Sequence, residues 1–124
     1  MGLIRGLMGH AAETDLEKVR EEFASMLIEG EDVQAAYKLV RDMFVFTDKR
    51  LIVMDKQGMT GKKVSYLTVP YGSIVCFSKE SAGHFDLDAE LKIWVRGQDI
   101  PLTYEFKKDS SIEDIYRVLG AAVL

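Results

Sequence analysis

One cysteine, two prolines and two histidines stand among 124 residues, and each scarcity excludes something. Cys76 has no partner for an internal disulfide, which suits a reducing compartment. The fold must therefore rest on its core, and a chain of this length can bury one without staples. Only His10 and His84 are available for histidine chemistry. No His-Glu-x-x-His, paired Cys-x-x-Cys or Gly-x-Ser-x-Gly occurs. With no cofactor motif, no cofactor and no enzymatic activity are expected. Long apolar runs are missing too. The stretch from Met1 to His10 is interrupted by Arg5 and is too short for a signal peptide core or a membrane span. Gly6 stands where a myristoylation signal needs Ser or Thr. The expected location is the cytoplasm, with membrane association as the variant to test.

What is there reads as one globular domain: 48% hydrophobic and 29% charged residues. The net charge of −4 disfavours nucleic acid as a partner. Charge is segregated along the chain. Residues 13–36 carry eight acids and two bases, net −6; residues 37–79 carry three acids and eight bases, net +5; residues 80–124 carry nine acids and five bases, net −4. An anion-binding surface is thus sought in the middle third.

The spacing of Leu16, Val19, Phe23, Met26 and Leu27 predicts a helix over 15–27, capped by Thr14 and Glu17 and stopped by Gly30. The period then changes. Strands are expected over 37–41, 43–47, 51–55, 64–69, 73–79 and 85–96, with a seventh carrying Leu102, Tyr104 and Phe106. Pro70 should end the fourth, since it has no N–H for a ladder. Ser110 and Glu113 form a second capping box ahead of an apolar stripe of Ile112, Ile115, Val118, Leu119 and Val123. Short connections make neighbouring strands antiparallel, because parallel neighbours need long crossovers. Trp94, Phe46, Tyr104, Val118 and Leu119 are expected in the core.

Two segments carry a family resemblance. Phe46-Thr47-Asp48-Lys49-Arg50-Leu51-Ile52 resembles the Thr-Asp-Lys-Arg-Leu turn of the bacterial PH domain family, and Phe85 to Trp94 is similar to that family in register with it. The resemblance spans roughly residues 13–124. With the element order, it gives a β-rich α+β fold: a pleckstrin-homology-like split barrel of seven antiparallel strands capped by a C-terminal helix, with an additional N-terminal helix. Residues 1–12 form an arm and 13–124 the single domain. What the resemblance implies is a module without enzymatic activity that tends to ring-shaped homo-oligomers, a pentamer by analogy, with its cellular role undefined. The long basic loop that serves phosphoinositides in eukaryotic PH domains shrinks here to Val40-Arg41-Asp42-Met43, one base beside one acid.

Asp48 can accept neighbouring N–H groups and close the turn, leaving Lys49 and Arg50 at its tip or opening the next strand. Lys38, Arg41, Lys49, Arg50, Lys62 and Lys63 are the candidate anion ligands. Gly58-Met59-Thr60-Gly61-Lys62-Lys63 is two residues short of a phosphate loop between its glycines and lacks the following Ser or Thr, so it reads as a hairpin loop. His84, Asp86, Asp88 and Glu90 share one strand parity, which reads as a solvated acidic face rather than a metal site. Cys76, within Ile74-Val75-Cys76-Phe77, reads as a small core residue. Leu3, Ile4, Leu7 and Met8 of the arm are the candidate oligomer interface.

Two functions compete. The first is an assembly module that self-associates and presents a surface to an unidentified protein or peptide. The second is a peripheral membrane module that binds anionic headgroups through the basic middle third.

Overall fold

The computed structural model describes residues 12–39, 42–57, 63–80, 89–106 and 112–124. The chain divides into two compact units, one running to Thr68 and one from Val69, and the seven strands form two separate antiparallel sheets of four and three.

The first unit begins with helix α1, Ala12–Phe23. The helix starts three residues before the predicted boundary, with Thr14 within its span. At its end the N–H groups of Met26 and Leu27 both donate to the Phe23 carbonyl, at 2.9 and 3.2 Å. Gly30, at φ 83°, then takes a left-handed conformation that costs glycine nothing and turns the chain into the first sheet. The strands are β1 (Val33–Lys38), β2 (Asp42–Thr47), β3 (Arg50–Gln57) and β4 (Lys63–Pro70), ordered β1-β2-β3-β4. β1 starts four residues before the predicted Tyr37. Its alanines are poor strand formers, and a bulge between Val33 and Ala35 breaks the alternation that marks a strand.

Met43-Phe44-Val45-Phe46 and Leu51-Ile52-Val53-Met54 are continuous apolar runs, the pattern of strands buried on both faces. Val33, Ala36, Val45, Ile52 and Met54 pack with Leu16, Val19 and Phe23 of α1. Tyr37, Phe44, Phe46, Leu51 and Val53 are buried as well. The Tyr37 and Phe46 rings meet edge-on with centroids 6.1 Å apart. Helix α1 thus supplies the cover that a second apolar sheet face requires. Phe23 is fully buried, and burial of such a ring stabilises by about 1.5–3 kcal/mol.

The second unit holds a 3-10 turn (Tyr71–Ser73), β5 (Ile74–Glu80), β6 (Ala89–Val95), β7 (Leu102–Phe106) and helix α2 (Ile112–Val123), with sheet order β5-β6-β7. Helix α2 lies against β5, β6 and the 3-10 turn. Its stripe of Ile112, Ile115, Val118 and Leu119 is buried, as the helical spacing predicts. The Phe77 and Tyr116 rings meet at 5.2 Å, and Lys79 is hydrogen-bonded to the Glu113 carboxylate.

Three core expectations are corrected. Cys76 is exposed. A bulge between Ile74 and Cys76 resets the parity of β5: Ile74 is buried, while Cys76 pairs with Trp94 and Phe77 with Ile93. The run Ile-Val-Cys-Phe hides that extra residue, so an unbroken alternation sends the thiol to the wrong face. Trp94, opposite Cys76, is half-buried because it lies on the face of β6 away from the buried Leu91 and Ile93, and Tyr104 is half-buried on the edge strand β7. The remaining expectations, Phe46, Val118 and Leu119, are buried. Residues 85–88 of the predicted sixth strand and the Ser110 cap lie outside the described residues.

Candidate functional site

The turn that carries the family resemblance is tied down by a residue nineteen positions earlier in sequence. Glu31, in the segment between α1 and β1, has its carboxylate wholly buried and paired with Arg50. Arg50 donates from Nε to Oε2 at 2.8 Å and from Nη2 to Oε1 at 3.0 Å. Thr47 donates its hydroxyl to Oε2 at 2.6 Å, and the Ile28 N–H donates to Oε1 at 3.0 Å. The rest of the guanidinium is used as well: Nη2 reaches the Met26 carbonyl at 2.8 Å and Nη1 the Thr68 hydroxyl at 2.9 Å. The Arg50 hydrogen bonds hold the Glu31 carboxyl down to about 2, against the opposing pull of burial, with Thr47 and Ile28 assisting.

Turn closure is assigned differently from the expectation. The hydroxyl of Thr47, not the carboxylate of Asp48, accepts the N–H groups of Lys49 and Arg50, each at 3.0 Å. Asp48 instead accepts the Asp32 N–H at 2.9 Å and donates its own N–H to the Asp32 carbonyl at 3.1 Å. Arg20 completes the attachment, with Nε 3.1 Å from Asp32 Oδ1 and Nη2 3.0 Å from the Val33 carbonyl. Nothing in the sequence singles out Glu31: it sits in a short acidic loop, and only the packed turn reveals its partner.

The antiparallel register distributes the candidate bases. Lys38 ends β1, and its partner Met43 pairs onward with Met54 of β3. Lys38, Lys56 and Lys63 therefore share one end of the four-stranded sheet, while Lys49 and Arg50 occupy the β2–β3 turn at the other. Lys38, Lys49, Lys56 and Lys63 are exposed. Arg41 and Lys62 lie outside the described residues, as do the arm residues Leu3, Ile4, Leu7 and Met8. At the Lys38 end, Glu22, Lys38, Asp42 and Lys56 surround a small depression that Leu39, Met43 and Met54 also line. Two acids beside two bases make a mixed-charge surface, which suits a protein surface better than a polyanion.

The second unit carries an acidic row. On β6, Glu90, Lys92 and Trp94 alternate with the buried Leu91 and Ile93. Register places Glu80, Glu90 and Glu105 in one row across the three strands. Lys92 Nζ lies 3.7 Å from Glu80 and 3.6 Å from Glu90, and Glu105 is exposed. Like charges opposite one another on a sheet are unfavourable by a few tenths of a kcal/mol to about 1 kcal/mol, and Lys92 offsets the repulsion between Glu80 and Glu90. His84, Asp86 and Asp88 lie outside the described residues. Among the described residues, no three His, Cys, Asp or Glu side chains gather to hold a metal, and no helix is long and apolar enough to cross a membrane.

Two antiparallel sheets of four and three strands, with a C-terminal helix packed on the second, define a pleckstrin-homology-like fold. The chain belongs to the bacterial PH domain family, whose model matches residues 2–123. It is 56% identical to the uncharacterized protein YjqA of Bacillus subtilis over the full length of both chains. The crystal structure of a pleckstrin homology domain from Shewanella amazonensis superposes with a TM-score of 0.86 at 51% identity, covering 96% of each chain. A protein with a pleckstrin-homology domain from Shewanella loihica gives 0.78 at 48% identity, over 88% of this chain and 93% of that one.

Proposed function

We propose that this chain is a non-catalytic PH-type module that self-associates head to tail into a closed homo-oligomer and presents a protein- or peptide-binding surface. The observation that supports the reading is a local basic cluster on the first unit and a local acidic row on the second. Lys38, Lys56 and Lys63 stand at one end of the first sheet, and Glu80, Glu90 and Glu105 form a row on the second. Unlike surfaces that complement each other join copies heterologously, and such a contact closes into a ring when its rotation divides the circle. Ring closure at five follows the family resemblance alone. The PH fold is a binding scaffold, which supports the non-catalytic part of the reading.

Charge reversal tests it. Lys38→Glu/Lys56→Glu and Glu90→Lys/Glu105→Lys should each reduce the mass in solution at low salt, and mixing the two variants should restore a larger species. Wild-type mass in both single preparations contradicts the reading.

The second reading, a membrane module, draws on the gathering of the same lysines. Co-sedimentation with phosphatidylserine-containing vesicles at low and physiological salt separates the two, because surface attraction to anionic lipid is screened by salt.

A further inference from the structure

Strands β1, β4, β5 and β7 stand at the edges of the two sheets. An edge presents alternating N–H and C=O groups to any strand that can reach it, and proteins blunt edges with bulges, short length, charge or proline. β1 and β5 each carry a bulge. β7 is five residues long and follows directly on Pro101. β4 differs from all three. It is the longest of the four at eight residues, with its only charge, Lys63, at the start and its only proline, Pro70, at the end, so Val64 to Val69 carry neither. Every residue from Ser65 to Thr68 is exposed, including Tyr66 at 45% and Leu67 at 40%. Successive side chains point to opposite faces, so four exposed residues in a row mean that both faces of this margin reach solvent.

We propose that the outer edge of β4 is a docking site for an extended acidic segment of a partner protein, which adds as one more strand. Main-chain hydrogen bonds supply affinity in such an addition, and alternate side chains supply specificity. Here Leu67 offers an apolar contact on one face, and on the other the exposed part of Tyr66, whose ring meets Phe23 edge-on at 5.8 Å, offers a second. Lys63, on a strand with no acid, favours a carboxylate near that end of the segment. The inference rests on the chain being a binding module, and not on its self-association through charged surfaces.

The test uses the full chain and eight-residue synthetic peptides of alternating Val and Thr, ended by Glu or by Lys. The Glu-ended peptide should bind and slow hydrogen exchange of outward amides within residues 65–68 at least several-fold. The Lys-ended peptide should bind about tenfold more weakly, and N-methylation at alternate residues should abolish binding. Leu67→Lys should lose the peptide while keeping both its thermal melt and its mass in solution. No binding of the Glu-ended peptide at millimolar concentration overturns the proposal, as does protection confined to other strands. Protection of residues 65–68 without peptide, lost on dilution together with oligomer mass, assigns the edge to a second copy and likewise overturns it. Peptide binding that survives charge reversal, with the mass lowered, supports the edge site independently of self-association.

Discussion

Arg50 grips Glu31 through two parallel hydrogen bonds, of 2.8 and 3.0 Å, and the carboxylate it holds is fully buried. A fork of this kind fixes geometry as well as charge, because the guanidinium plane must match the carboxylate plane. The β2–β3 turn and the segment entering β1 are thereby joined at one point.

Removing one partner should cost more than removing both. Arg50→Met leaves a buried carboxylate without its cation, a loss of about 3–5 kcal/mol. Arg50→Lys recovers only part of this, since an ammonium cannot bridge both oxygens. The double variant Glu31→Gln/Arg50→Met should be more stable than Arg50→Met alone. Urea unfolding at pH 7 measures all three, and equal midpoints for single and double variants would refute the assignment.

The same pair sets an acid dependence. The folded-state value for Glu31, about 2, lies below that of an unfolded glutamate, so the unfolded chain takes up the proton first as pH falls. The pair's full contribution is present above the ordinary carboxylate range, near pH 4–5, and is lost as pH drops through about 2. That contribution is on the order of 2–3 kcal/mol. Glu31→Gln should flatten this part of the stability curve between pH 5 and 2. A wild-type curve that is already flat there contradicts the linkage.

Packing of α2 gives a third prediction. Val118 is buried against the second sheet, and Val118→Ala should cost about 1–3 kcal/mol through lost burial and a residual cavity. Arg117→Ala, on the exposed side of the same helix, should change stability by less than about 0.5 kcal/mol. Thermal melts of the two variants decide it, and a melt unmoved by Val118→Ala would count against the packing.

The bulge in β5 makes a chemical prediction. With Cys76 exposed beside Trp94, the native protein should react with a thiol-specific disulfide reagent without denaturant, at a rate approaching that of the unfolded chain. Labelling seen only after unfolding would place the thiol back in the core.

These cases mark how far the sequence reached. Helix α2 was legible because Ile112, Ile115, Val118 and Leu119 repeat at helical spacing under local control. The seven strands were legible from apolar runs and their turns. The boundary of β1 and the facing of Cys76 were not, because each depends on a bulge, and one extra residue flips every side chain that follows. The roles of Glu31, Thr47 and Asp48 were hidden for another reason. Their partners are set by tertiary contact, and an acidic loop residue looks solvated until the turn closes over it.

Self-association is the centre of the functional account, and the mass in solution tests it most directly. Light scattering on a chromatographic peak at ~50 µM, well above the micromolar dissociation constant of a modest interface, should give a species larger than a dimer of the 14.0 kDa chain. Five copies would give about 70 kDa, and raising the salt should lower the mass, because the proposed contact joins opposite charges. A single 14.0 kDa species at that concentration and at low salt would contradict the account.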